Sequence, residues 1–451
     1  MQNNSLAPQP LILTSWKQKL ALTLAGIAVL LLLVVAFARN AFAPAPVLLT
    51  ALGLMAAGAV LFVREEYLTR PEGIKNNGVW FRSLSARGVW AWLAAIVLTG
   101  FYSVLYFGPS AWFAGLTDLF NPLSLLVKGK AADKWFVYGS LYTFSVLVMG
   151  FKFGFKYRHN RYQVFRTISV SFFRLGFAFL IPAFMQQMNQ PEYYFTYFWP
   201  LKDWYGTPSA AKYFGGYAIG PYLLAFGALM TFVATPVLTY FFGKRWYCSW
   251  VCGCGGLAET AGDPFRHLSD KSLKSWKIER WMIHSVLVAV VLVTGLLWVN
   301  SYQKGAVLGA YSQTFYSWYG YIIGMAFSGV VGVGFYPLMG SRVWCRFGCP
   351  QAAILGIFQK KKSKFRITTN GGQCISCGNC STYCEMGIDV RHYAQRGQDV
   401  VRASCVGCGI CAAVCPRGVL RLEGAAADVD ARATDLRTVH VRLEEVGILE
   451  Q

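Results

Sequence analysis

Cysteine is the residue type whose spacing carries chemistry in this chain. Residues 374–384 read CISCGNCSTYC and residues 405–415 read CVGCGICAAVC, followed by Pro416. Both runs fit C-x2-C-x2-C-x3-C, a spacing with which thiolates hold [4Fe–4S] cubanes. Three thiolates on a tight loop cap three irons, and small residues such as Gly378, Gly407 and Gly409 let backbone amides approach the sulfides. The fourth cysteine opens a short helix that carries it to the other cluster. The expected ligand sets are Cys374, Cys377, Cys380 and Cys415 for one cluster, and Cys405, Cys408, Cys411 and Cys384 for the other. Structural zinc prefers paired C-x2-C ligands, and disulfides do not suit a reducing compartment. Two [4Fe–4S] clusters are therefore the reading.

A second cysteine pattern is duplicated. GKRWYCSWVCGCGGLAE (243–259) and GSRVWCRFGCPQAAILG (340–356) align as G-x-R-x-x-C-x3-C, with Cys248 to Cys345 and Cys252 to Cys349 both 97 residues apart. A helical C-x3-C would put its two thiols one turn apart on one face. Facing each other, the pairs Cys248/Cys252 and Cys345/Cys349 would offer four thiols to a metal or a third cluster, with Cys254 as an extra candidate. The competing reading keeps these cysteines only as small residues at a helix contact.

The elements that must position these groups are membrane helices. Of the 451 residues, 55% are hydrophobic and only 14% charged, against about 25% charged in ordinary soluble domains; mean hydropathy is +0.40. Eight stretches reach the roughly 20 apolar residues that a bilayer requires: 19–38, 44–63, 88–107, 134–151, 167–186, 217–241, 282–300 and 317–338. The first is read as a retained helix, because its apolar run is longer than a signal segment needs, although Ala41-Phe42-Ala43 resembles a cleavage site.

Lysine and arginine set the orientation. One side collects Arg64, Arg70, Lys75, Arg82 and Arg87, then Lys152, Lys156, Arg158, Arg161 and Arg166, then Lys244, Arg245, Arg266, Lys271, Lys274, Lys277 and Arg280. The other holds Arg39, Lys128, Lys130, Lys134, Lys202, Lys212 and Lys304. Seventeen against seven places the N-terminus inside, and the run Lys360, Lys361, Lys362, Lys364 and Arg366 places the C-terminal cysteine unit in the cytoplasm. This bias accounts for much of the +21 net charge without nucleic acid, for which no motif is present.

Taken together, residues 215–420 resemble the NosR/NapH/CcoG-like membrane polyferredoxins: helix, W/Y-C-x3-C, helix pair, W-C-x3-C-P, basic stretch and two ferredoxin motifs. Cys384-Glu385-Met386-Gly387-Ile388-Asp389 resembles the C-x-M-G-I-D wording common there. The resemblance implies inner-membrane electron carriers serving periplasmic reductases, their maturation or metal reduction. This chain departs from the pattern in reading C-G-C in its first motif, in carrying four or five additional N-terminal helices, and in having only a short tail after Arg421.

The expected fold is an α-helical polytopic membrane protein of about eight spans with a C-terminal α+β two-cluster bacterial ferredoxin-like domain. Its expected divisions are 1–210 (N-terminal membrane region), 211–358 (duplicated C-x3-C core), 359–422 (ferredoxin-like domain) and 423–451 (tail). The expected function is single-electron transfer between the cytoplasmic clusters and a cysteine site at the membrane edge, linked to quinone or a periplasmic reductase, as a subunit of a membrane oxidoreductase. The alternatives are a factor that reduces or holds copper through soft thiolates, and a redox-sensing regulator.

Other residues weigh less. Arg174 lies inside the fifth apolar stretch, where a charge is costly and often functional, yet snorkelling explains it as well. His284 and His267 are candidate ligands or quinone donors, with interfacial histidine the simpler reading. The loop EYYFTYFWPLKDWY (192–205) reads as an interfacial aromatic belt, or as a docking patch for a partner. His159 and His440 carry no signal.

Overall fold

The computed structural model describes residues 15–37, 43–69, 88–201 and 208–424. Arg39, Arg70, Lys75, Arg82, Arg87, Lys202, His440, most of the 423–451 tail, residues 202–205 of the aromatic loop and the Ala41-Phe42 pair lie outside the described residues.

Among the described residues, seven helices are long and apolar enough to cross a membrane: Trp16–Val35, Pro44–Leu68, Val89–Phe107, Lys134–Lys156, Arg161–Gln187, Gly220–Phe242 and Leu273–Tyr302. The chain is a mostly helical, polytopic membrane protein. The eighth expected span, 317–338, contains a shorter apolar helix, Gly320–Gly334. Pro337, unable to continue an α-helical ladder, sits in a separate turn, Tyr336–Met339. The amphipathic helix Ala114–Lys128 was not anticipated; it ends at Gly129, whose φ of +69° terminates the helix in the left-handed region.

Side-chain caps set several entry points. Asp133 accepts from the Phe136 amide at 2.9 Å at the start of Lys134–Lys156, Asn160 accepts from Gln163 N–H at 3.2 Å, and Ser272 accepts from Ser275 N–H at 3.2 Å. Each satisfies an amide that the helix cannot pair internally. Burial separates central from peripheral spans: 44% of the Lys134–Lys156 window is buried within the protein, against 6% for Leu273–Tyr302.

Beyond the helix Pro350–Lys362 the chain forms a small α+β unit. Strands Phe365–Thr369 and Leu420–Gly424 pair antiparallel, with Ile367 opposite Leu422. Between them lie the short helices Asn379–Thr382, Val390–Gln395 and Ile410–Ala413. One hydrophobic core runs from this unit into the membrane portion, joining Cys384, Cys405 and Cys411 to Trp246, Tyr247, Cys248 and Cys345.

Candidate functional site

In both ferredoxin-type motifs the residue after the second cysteine is a left-handed glycine, Gly378 (φ +82°) and Gly409 (φ +73°), and each starts the helix bearing the third cysteine. A side chain is strained in that conformation. Cys374, Cys377 and Cys380 line one cavity together with Cys415 from the other motif. Cys384 in turn lies among Cys405, Cys408 and Cys411, close enough to perturb the ionisation of Cys405 and Cys411. The fold thus brings each fourth cysteine to the opposite triplet. Ile388 N–H donates to Cys384 Sγ at 3.4 Å, the kind of contact that tunes a bound cluster.

The second triplet is docked on the membrane portion through backbone carbonyls. Lys244 Nζ donates to Ala403 O at 2.9 Å, Ser249 Oγ to Val406 O at 2.8 Å, Tyr162 Oη to Gly407 O at 2.8 Å and Gln163 Nε2 to Cys408 O at 2.9 Å. Gly407 leaves no room for a side chain, since a Cβ there would stand 2.7 Å from Arg245 Cβ.

The C-x3-C pairs do not form single helical turns, as their spacing had suggested. Cys248 ends the turn Arg245–Cys248, and Cys252 is extended (ψ 123°) ahead of the helix Gly253–Glu259. Cys345 lies in Val343–Phe347, and Cys349 is extended (ψ 112°) ahead of Pro350–Lys362. Proline disfavours a helical residue before it, which explains the break at Cys349. The two pairs nevertheless converge, because Cys248, Cys252, Cys345 and Cys349 lie near enough to disturb one another's charge. Burial pushes the Cys248 thiol up to about 12, a cost that coordination to iron would offset by deprotonating the sulfur outright. Tyr247 Oη is buried among Cys252, Cys349, Cys254 and Cys248 without a hydrogen-bond partner. A hydroxyl left this way in a nest of thiols suits the sulfur surface of a cluster. Among the described residues no three His, Cys, Asp or Glu side chains converge to hold a single metal ion; a cubane is larger and spaces its ligands further apart.

The first C-x3-C copy reaches into the helix bundle. Tyr142 Oη donates to Gly253 O, between Cys252 and Cys254, at 2.8 Å. Tyr142 stands about a third of the way along Lys134–Lys156, roughly 12 and 21 Å from its two ends at 1.5 Å per residue. Cys254 is exposed only in the sense that it faces a cavity within the bundle, lined by Tyr102, Tyr106, Tyr138, Tyr142 and Cys345.

A buried chain of charges ties the C-x3-C site to Glu385, the residue beside Cys384. Glu259 Oε1 accepts from Arg166 at 2.6 Å and from Arg342 at 2.5 Å. Arg342 also reaches Glu385 at 3.0 Å, and Arg266 binds Glu385 at 2.9 Å. Arg266 meets Asp263 at 3.3 Å, and Lys156 Nζ donates to Asp263 at 2.6 Å. Arg342 Nη1 lies 3.6 Å from Cys345 Sγ and 3.3 Å from Cys248 O. Burial raises the Glu259 carboxyl above its usual range despite Arg166 and Arg342. Burial also opposes ionisation of Glu385, but Arg342 and Arg266 overcome it and hold that carboxyl low.

Arg174 does not snorkel to the basic side. Its Nε donates to Thr143 Oγ1 at 3.0 Å, its Nη2 to Gly139 O at 3.2 Å, and its guanidinium stacks 4.0 Å above the Tyr142 ring. His284 and His159 stand apart from the cysteines, and the His267 carbonyl accepts from Lys271 at 2.9 Å; none of the three lines the cavities that hold the cysteines. In the aromatic loop, Tyr194 and Tyr197 line a large cavity beside Arg174. Sequence reasoning missed the charge chain and the tyrosines. A usable signal existed: in a chain with only 21 acidic residues, Glu385 directly follows Cys384 and Glu259 closely follows Cys254.

Comparison with known proteins agrees with this chemistry. Residues 224–272 and 321–368, which contain the C-x3-C pairs, each match a 4Fe-4S binding domain. Residues 373–420 match a 4Fe-4S dicluster domain. The chain carries ferredoxin-type iron–sulfur domains. It is 26% identical over 173 residues to the putative electron transport protein YccM of Escherichia coli K12, covering 36% of this chain and 47% of that protein. It is 27% identical over 154 residues to the methylamine utilization ferredoxin-type protein MauN of Paracoccus denitrificans, covering 32% of this chain and 48% of that protein. The chain spans about half the length of the curated relatives it matches. No solved structure matches it.

Proposed function

We propose that this is an inner-membrane electron-transfer protein of the NosR/NapH/CcoG-like type, linked to quinone or to a periplasmic reductase. Cys374, Cys377, Cys380 and Cys415 hold one [4Fe–4S] cluster, and Cys405, Cys408, Cys411 and Cys384 hold a second. Cys248, Cys252, Cys345 and Cys349 hold a third centre. Such clusters, when bound, supply reversible one-electron chemistry with potentials set by hydrogen bonds and exposure. The chain's own residues order the sites, keep water out and fix their separation.

The observation that carries this reading is the docking of residues 403–408 on the first C-x3-C copy, where Ser249, beside Cys248, bonds the carbonyl of Val406, beside Cys405. The lysine and arginine distribution supports a cytoplasmic ferredoxin-type unit, and the divisions 1–210, 211–358, 359–422 and 423–451 follow the same organisation. The test is the double variant Cys248→Ser/Cys345→Ser, with iron and acid-labile sulfide measured per chain alongside electron paramagnetic resonance. The expected result is loss of one cluster's iron with both ferredoxin-type signals retained. Full retention of iron would remove the C-x3-C pairs from cofactor binding.

A further inference from the structure

A large cavity between the helices lies on the far side of the cysteine site from the ferredoxin-type unit. It has a volume of about 770 Å³, within the range of roughly 300–1,000 Å³ typical of ligand pockets. Its walls come from the start of Lys134–Lys156, the second half of Arg161–Gln187, the end of Val89–Phe107 and the start of Gly320–Gly334. The opposite ends of the first two spans meet the ferredoxin-type unit, since Phe153 packs in one cluster with Ile410 and Val414, and Tyr162 bonds Gly407.

Arg174 lies in this wall, midway along its span Arg161–Gln187. Its partners are a hydroxyl, a carbonyl and a ring, and among the described residues it pairs with no carboxylate. The two carboxylates that line the same cavity are engaged elsewhere, Glu192 by Tyr194 Oη and Asp133 by the Phe136 amide and Lys128. A cation in mid-membrane without a counter-ion favours a ligand that brings acceptor oxygens. Trp135, Phe136, Phe179 and Tyr106 supply flat aromatic walls. Lipid phosphates sit at the membrane surface and not at mid-span, so a planar ring with carbonyl oxygens fits both features better. A narrower cavity of about 70 Å³ shares Tyr106 and Tyr138 with the large one and reaches Cys254 and Cys345.

We propose that the cavity beside Arg174 binds the headgroup of a lipid-soluble quinone, on the face of the cysteine site opposite to the ferredoxin-type unit. This rests on the quinone-linked reading above and adds the binding residues and the side of approach.

The test uses full-length, cluster-loaded protein in detergent under anaerobic conditions, with a short-chain azidoquinone as photolabel and peptide mapping as readout. Label is expected in residues 135–142, 174–186 or 320–325, and excess unlabelled quinone should compete it away. Gly324→Leu is the decisive variant: Gly324 lines the cavity and a Cβ there meets nothing within 4 Å, so a side chain can start from this wall without a clash at its first carbon. It should weaken labelling on the order of tenfold. Arg174→Gln should weaken it too, with partial recovery in Arg174→Lys. Label confined to other parts of the chain, label competed equally by phospholipid, or label unaffected by Gly324→Leu would each overturn the site. Iron content and resonance spectra of the same samples separate the two claims: intact clusters without cavity labelling defeat the site alone.

Discussion

The two copies of G-x-R-x-x-C-x3-C share a spacing and occupy different surroundings. In the first, Arg245 stacks over Trp250 at 5.5 Å and Phe365 at 4.7 Å, against the ferredoxin-type unit. In the second, Arg342 is fully buried and grips Glu259 and Glu385 beside Cys345. The backbone differs as well. Gly255 is pressed against the Cys248 carbonyl, where an added Cβ would stand 2.2 Å from the oxygen, while the matching position in the second copy is Ala352. Duplication therefore supplies the four thiols in pairs, and the surroundings make the two sides unlike. Both copies touch the ferredoxin-type unit, the first by stacking Arg245 on Phe365 and the second by the buried ion pair of Arg342 with Glu385.

That contrast can be broken most sharply at Arg342. Arg342→Ala leaves Glu259 and Glu385 without one of their buried cations and should cost about 3–5 kcal/mol, read as a fall in thermal midpoint of the detergent-solubilised protein. A loss no larger than that of Arg245→Ala would show that the two arginines are equivalent.

The glycine contrast is next in size. Gly255→Ala should cost about 1–3 kcal/mol through overpacking against a carbonyl that cannot yield, with reduced iron retention as a second readout. Ala352→Gly, the reciprocal change, should cost no more than about 1 kcal/mol. Equal effects would remove the steric asymmetry.

The smallest effect is expected at Arg245→Ala, about 1 kcal/mol from lost stacking on two rings. Its signature is increased amide exchange confined to residues 403–408. Unchanged exchange there would mean that Lys244, Ser249, Tyr162 and Gln163 hold the unit unaided.

Much of this architecture was legible because it rests on local or short-period signals. Apolar length marked the spans, and the C-x2-C-x2-C-x3-C runs marked two loops of cluster-binding type. The helical reading of C-x3-C failed because a spacing of four does not reveal that Pro350 and Gly253 permit a break at the preceding cysteine. The apparent snorkelling of Arg174 failed for a different reason. Its partners Thr143 and Gly139 lie more than thirty residues away in sequence, and no pattern near Arg174 announces them.

By itself the amino-acid sequence determined the polytopic helical class, the ferredoxin-type cysteine runs and the pairing of the two C-x3-C copies, because each depends on composition or on spacing along the chain. Only the tertiary structure decided which helices the cysteine site packs against, which charges surround it and what cavity it faces. Those properties depend on contacts such as Arg166 with Glu259, 93 residues apart, and Arg266 with Glu385, 119 residues apart. Burying such charges is tolerable only when packing brings their partners within hydrogen-bonding distance, and packing is a property of the folded whole.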